Sequence, residues 1–156
     1  MAWTELHFGK HIGKTLPQIL FSDPDWFFWS IDNNIWEKSN ATLKKEVYLI
    51  DKRSRSIKIP NNSEKNLVVE FQVHPSTRNF GGFKIIPSDT PTHTGSTPTF
   101  RGGVLDMSTP RKISFYDKLG NQIFLDCFKS QIAGNAKLRF TKKYCEDFFS
   151  SEANFL

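Results

Sequence analysis

Cysteine is scarce in this chain of 156 residues: only Cys127 and Cys145 occur, with no CxxC pair and no metal-ligand spacing. That excludes a disulfide framework and a zinc ribbon, and both thiols are expected to be free in a reducing compartment. No apolar run approaches the roughly 20 residues that a membrane-spanning helix needs. The N-terminus lacks a basic segment followed by an apolar stretch, so no secretory signal is expected. The expected setting is cytoplasmic or otherwise intracellular, without a membrane partner. Signature motifs of common chemistries are missing too. The chain has no dinucleotide fingerprint, no zinc-protease helix motif and no nucleophile elbow. FGKHIGKT, residues 8–15, lacks the glycine-to-glycine interval of a P-loop. No internal repeat is evident.

Aromatic residues are abundant by contrast. They make up 14% of the chain, with 15 Phe and 4 Trp, against a hydrophobic total of only 38%. Phenylalanine can therefore build a core with few aliphatic residues. The net charge of +5 is moderately basic. It suits a polyanionic partner, and it equally suits a solvated surface.

Residues 6–34 organise the chain. Leu6 and Phe8 alternate with His7 and Gly9 as in a short half-buried strand, and Gly9 and Gly13 bracket a tight turn between two short strands. Thr15 is placed to cap a helix with Pro17 in its first turn. A second helix start follows, with Asp23 as cap, Pro24 at the first position and Asp25 at the positive end of the helix dipole. Trp26 to Ile31 supply an apolar face, on which Trp29 is expected to be largely buried, and Asn33 and Asn34 can end it.

Phe8, Gly9, Lys10, Gly13, Lys14, Leu16, Trp26 and Trp29 form a spaced pattern. It resembles the small C-terminal module of exonuclease X-like proteins and its stand-alone relatives. Tyrosine is usual in that family where this chain has Trp26. The resemblance spans about the first quarter of the chain. It implies association with DNA processing as an accessory module, because such modules accompany nucleases and helicases without being their catalytic domains.

Further along, residues 43–51 read as a strand, residues 52–55 as a basic tip and residues 56–60 as a returning strand, which together make a cationic hairpin. Residues 67–74 alternate Val69, Phe71 and Val73 with Glu70, Gln72 and His74, so the second set is expected to face outward. Residues 83–86, 104–107 and 112–116 are strand candidates, and 118–121 a turn. Residues 122–128 read as a strand or a short helix. The Thr-, Pro- and Gly-rich stretch 88–103 is expected to be an exposed loop; its His93 is expected to be solvated. Thr141 is placed to cap a final helix bearing Tyr144, Cys145, Phe148 and Phe149. The expected fold class is α+β: a short N-terminal hairpin and helices joined to a mainly antiparallel sheet, with a C-terminal helix. One domain over residues 1–156 is expected; the alternative division is a small subdomain over 1–40, resembling the exonuclease X C-terminal module, and a mainly β portion over 41–156.

Three functions fit these residues. The preferred one is a nucleic-acid-binding accessory protein, for which DNA is the expected partner. Lys10 and Lys14 in the N-terminal turn, with Lys52, Arg53, Arg55 and Lys58 at the hairpin tip, would contact phosphates. The second is a protein-interaction adaptor docking a partner on Trp26, Phe27, Trp29 and Trp36. The third is a Mg²⁺-dependent nuclease. Asp51 at a strand end and Glu70-x-Gln72 on the adjacent strand would hold the metal, as in nucleases of the restriction-endonuclease-like fold. Outside that third reading no metal or cofactor is expected.

Overall fold

A computed structural model describes residues 2–60, 66–92, 98–114 and 117–156. The architecture is α+β, with six α-helices and three strands among the described residues. Leu6 N–H donates to Lys14 C=O at 2.9 Å, and Gly13 N–H to Leu6 C=O at 2.8 Å. These bonds close a loop over residues 7–13 without the two short strands expected there. Gly9 and Gly13 have φ of +78° and +85°, a region that a Cβ makes costly, so glycine is what lets the loop close.

Helix α1 (Leu16–Leu20) starts where Gln18 Oε1 accepts from Thr15 N–H at 3.0 Å. Helix α2 (Pro24–Asp32) starts at Asp23, whose side chain accepts from Trp26 N–H, and ends at Asn33. It buries Phe27 and Phe28 completely. Trp29, expected to be largely buried, is covered over most of its surface but less completely than Phe27 and Phe28. The adjacent positions 27 and 28 enter the core, which leaves 26 and 29, three residues apart, on a different side of the helix.

Helix α3 (Ala41–Ser54) replaces the cationic hairpin expected over residues 43–60. Asn40 caps it by accepting from Leu43 N–H at 2.9 Å. Leu43, Val47, Ile50 and Ser54 are buried at helical spacing, whereas Tyr48 is exposed. The 3.6-residue period therefore prevails over the short alternation near Val47 and Leu49, and residues 52–55 contain no glycine, proline or asparagine to make a tight turn. Buried Glu46 accepts from the backbone N–H and the hydroxyl of Thr4, which ties the N-terminal segment to α3.

The sheet has the order β2-β1-β3, all antiparallel, formed by β1 (Leu67–Val73), β2 (Phe80–Pro87) and β3 (Thr99–Gly102). Val69, Phe71 and Phe83 are buried, and Phe83 meets Phe124 of α5 (Lys118–Gln131) at 5.0 Å between ring centroids. Glu70, expected to face outward into solvent, is also buried. Arg101 covers it at 3.0 Å and donates onward to the carbonyls of Thr90 and Pro91, folding that part of the loop onto the sheet.

The expected turn 118–121 is the first turn of α5, and 122–128 continue the helix. Asp117 caps it by accepting from Gly120 N–H at 2.7 Å, and Phe124 and Phe128 are buried one turn apart. Two other strand candidates reduce to a crossing point, where Ile57 bridges Leu105 and Phe155. Residues 112 and 113 belong to the short helix α4 (Thr109–Ile113). Residues 115–116, the end of that strand candidate, and His93 lie outside the described residues. Thr141 caps α6 (Lys142–Ser150) as expected, accepting from Tyr144 N–H at 3.1 Å. Among the described residues, 41–156 thus carry four of the six helices rather than being mainly β. One hydrophobic cluster runs from Trp3 to Phe155, with α1 packed on both α3 and α6. No helix among the described residues is long and apolar enough to cross a membrane.

Candidate functional site

A recess of about 540 Å³ opens between the N-terminal loop, α2 and the first half of α5. Lys10, His11 and Lys14 enter from the loop. Asp23 and Asp25 come from the start of α2, and Trp26 and Trp29 from its body. Helix α5 presents Lys118, Asn121, Gln122 and Leu125, which share one face at i, i+3, i+4 and i+7.

His11 is buried, and its Nε2 lies 3.0 Å from Asp23 Oδ2; Lys10 Nζ reaches the same oxygen, also at 3.0 Å. The His11 ring stands edge-on to Trp26 at 4.9 Å. Burial pulls the His11 pKa below its ordinary value, outweighing the hydrogen bond and charge of Asp23. For Asp23, burial acts upward, but hydrogen bonds from Lys10 and His11 outweigh it and hold the carboxyl below its usual range. A neutral His11 thus donates Nε2–H to an ionised Asp23. Asp25 is held by Arg111 of α4 at 3.1 Å, and the same guanidinium holds Asp32 at 3.1 Å. Both aspartates of the recess are therefore matched by cations. Lys14 and Lys118 are exposed and make no ion pair among the described residues.

The six basic residues singled out from sequence do not share one recess. Lys10 and Lys14 lie in the large cleft. Lys52 and Arg53 flank a separate crevice of about 260 Å³ beside Glu152 and Phe155. Arg53 stacks 5.3 Å above the Phe155 ring and donates to the Phe149 carbonyl, so its fork is already engaged in packing. Arg55 faces a third groove, where it pairs with Asp51 at 2.9 Å, donates to Ser108 and lies over Phe28. Lys58 is exposed beside the C-terminal segment, its backbone N–H bonded to the Asn154 carbonyl.

Asp51 lies on helix α3, not at a strand end, and its carboxylate is paired with Arg55. Glu70 is paired with Arg101 and with Lys84 at 3.8 Å, while Gln72 sits two residues on along β1. The adjacent-strand arrangement of Asp51, Glu70 and Gln72 is therefore not formed. Among the described residues, no group of three or more His, Cys, Asp or Glu is placed to hold a metal ion. Of the four aromatic residues considered for docking, Phe27 and Trp36 are buried in the core, and only Trp26 and Trp29 reach the cleft.

Sequence reading missed His11, Asp23, Lys118, Asn121 and Gln122 as partners of Lys10 and Lys14. His11 stood inside the glycine-bracketed turn and Asp23 was visible only as a helix cap. The α5 face stayed hidden because its first turn resembles a loop. Protein-family models, curated proteins and solved structures give no match to this chain.

Proposed function

We propose that the protein is a nucleic-acid-binding module that contacts the phosphate backbone through the cleft between the N-terminal loop, α2 and α5. The observation that carries this reading is the joining of Lys14 with Lys118, more than a hundred residues away, beside Trp26 and Trp29, while Lys10 is matched to Asp23. Lysines held around a recess place several positive charges where successive phosphates can meet them. The matched state of Asp23 and Asp25 keeps their repulsion of a polyanion small. The motif that resembles exonuclease X-associated modules lies on this same loop and helix, which agrees with a role in DNA processing. Lys52 and Lys58, exposed elsewhere, are outside this site.

The test is fluorescence anisotropy of labelled oligonucleotides across a salt series. Wild type is expected to bind at low salt, with log K falling linearly in log salt. Lys14→Gln with Lys118→Gln should weaken binding and flatten that slope by about 0.7–0.9 for each phosphate no longer neutralised. Lys52→Gln with Lys58→Gln should change neither. Absence of binding by the folded wild type at low salt, or an unchanged slope in the Lys14/Lys118 variant, overturns the proposal.

A further inference from the structure

We infer that the cleft takes an unpaired strand, with a base stacked on the exposed indole surface of Trp29 and the flanking phosphates on Lys14 and Lys118. This rests on the backbone-binding reading above and adds the substrate class.

The four tryptophans divide into two kinds. Trp3 and Trp36 are buried, and each satisfies its indole N–H, Trp3 on Ser150 Oγ at 3.0 Å and Trp36 on Ser30 Oγ at 2.7 Å. Trp26 and Trp29 are partly exposed in the cleft, and neither indole N–H has a partner among the described residues. Packing explains the first pair fully and leaves a wetted aromatic surface on the second. That surface is also held in place. Trp29 leans on Trp26, which itself meets Trp36 edge-on at 6.0 Å and His11 at 4.9 Å, so the platform is backed before any ligand arrives. A pre-fixed ring loses little side-chain freedom on binding.

Ring geometry limits how a base can enter. The Trp26 and Trp29 centroids are 6.3 Å apart with planes 39° apart. Intercalation needs about twice the 3.4 Å stacking distance, so a base does not slide between them and must stack on an outer face. A base inside a duplex keeps both faces covered by its neighbours and presents only edges in the grooves. A concave recess walled by indoles therefore matches bases that are splayed out of a stack. Stacking platforms flanked by cations are the physical recipe for single-strand binding, and they tolerate any base because every base has a π-face. The amides nearby are engaged on their own helix. Asn121 Nδ2 donates to the Asp117 carbonyl and Gln122 Nε2 to Asp126, so both are tied to α5 itself. Weak sequence preference is expected from stacking and phosphate contacts.

The experiment combines intrinsic tryptophan fluorescence with anisotropy. Probes are a short oligothymidylate, the matching oligouridylate, a blunt duplex of equal length and polyglutamate, all at low salt. The expected result is quenching and saturable binding with the single strands, and at least about 10-fold weaker binding with the duplex. Trp29→Ala should weaken single-strand binding by about 5- to 100-fold while leaving the salt slope unchanged, since it removes stacking and leaves every phosphate neutralised as before. Trp29→Phe should recover part of the loss, and circular dichroism checks that both variants fold. Equal affinity for thymidylate and uridylate assigns the site to unpaired strands of either sugar; a preference assigns it to one of them. Duplex binding as tight as single-strand binding, or wild-type affinity in the folded Trp29→Ala protein, overturns this inference and leaves the backbone-binding proposal standing. Polyglutamate binding as tight as the oligonucleotides makes the cleft an acidic-peptide site and overturns it as well. Binding to none of the nucleic acids removes both.

Discussion

At the scale of the residue, the His11–Asp23 pair is the feature that most affects behaviour in solution. His11 is 6% exposed, and burial lowers its pKa below the ordinary 6.5 despite the carboxylate 3.0 Å away. The unfolded chain therefore binds a proton on His11 at a pH where the folded chain does not. Stability then rises with pH across that interval: the contribution is complete above about 6.5 and declines as pH falls toward the folded value. Asp23 acts at lower pH with the same sign. Its carboxyl is held below the ordinary 3.8, so its contribution is lost as pH falls below that value. The urea midpoint is accordingly expected to drop as pH is lowered from neutrality to about 5, with His11→Gln flattening that segment. A slope that persists in His11→Gln would place the proton elsewhere. Neighbouring positions on α2 provide a second check. Phe27→Ala removes a fully buried ring and should cost about 3–5 kcal/mol, whereas Trp29→Ala, at a partly exposed position, should cost distinctly less. Urea unfolding of both variants reads the difference. The start of α2 was legible in the sequence because Asp23, Pro24 and Asp25 act locally. Which aromatic residues enter the core depended on the elements packed against α2, and no local rule encodes that.

Among the elements, α3 shows where pattern reading fails. Residues 47–49 alternate briefly, which suggested a strand, but Leu43, Val47, Ile50 and Ser54 form a helical stripe along a helix of fourteen residues. The longer pattern also accounts for buried Glu46, which one turn before Ile50 reaches Thr4. Helix α5 was misjudged for a related reason. Gly120 sits in its first turn, and a Cβ there would lie 2.3 Å from Asp117 Oδ2, so the glycine serves the cap rather than breaking the helix. The strongest strand, β1, was legible because its β-branched and aromatic residues recur along its whole length, although the burial of Glu70 required Arg101 from a segment about thirty residues on. The α3 cap makes the helical assignment testable. Asn40→Ala removes the acceptor for Leu43 N–H and should lower stability by about 1 kcal/mol, measured as a shift in urea midpoint at constant m-value. No shift would mean that water replaces the cap without loss and that α3 starts elsewhere.

For the molecule as a whole, the question is whether the motif-bearing first 40 residues stand alone. Helix α1 has five residues and α2 nine, both below the length of about 12–15 at which isolated helices become even marginally stable in water. Their apolar faces are covered from far along the chain. Phe21 stacks on Phe140 at 4.7 Å and meets Phe128, Phe148 and Phe149 within 5.5 Å. Thr15 donates to Glu146 of α6 at 2.9 Å, and Trp3 donates to Ser150. The cleft itself needs α5, since Lys118, Asn121 and Gln122 form one of its walls. Cutting the chain after residue 40 thus exposes Leu16, Ile19, Leu20 and Phe21 together and removes the α5 wall of the proposed binding surface. A peptide of residues 1–40 is therefore expected to show no cooperative thermal transition by circular dichroism and narrow amide dispersion by NMR. It should also lack the salt-sensitive oligonucleotide binding expected of the full chain, because only Lys10 and Lys14 of the three cleft lysines remain. A cooperative melt with dispersed amides would instead show that local capping and the closed glycine loop suffice to fold this segment, and the packing against α5 and α6 would then be an addition to a self-sufficient unit.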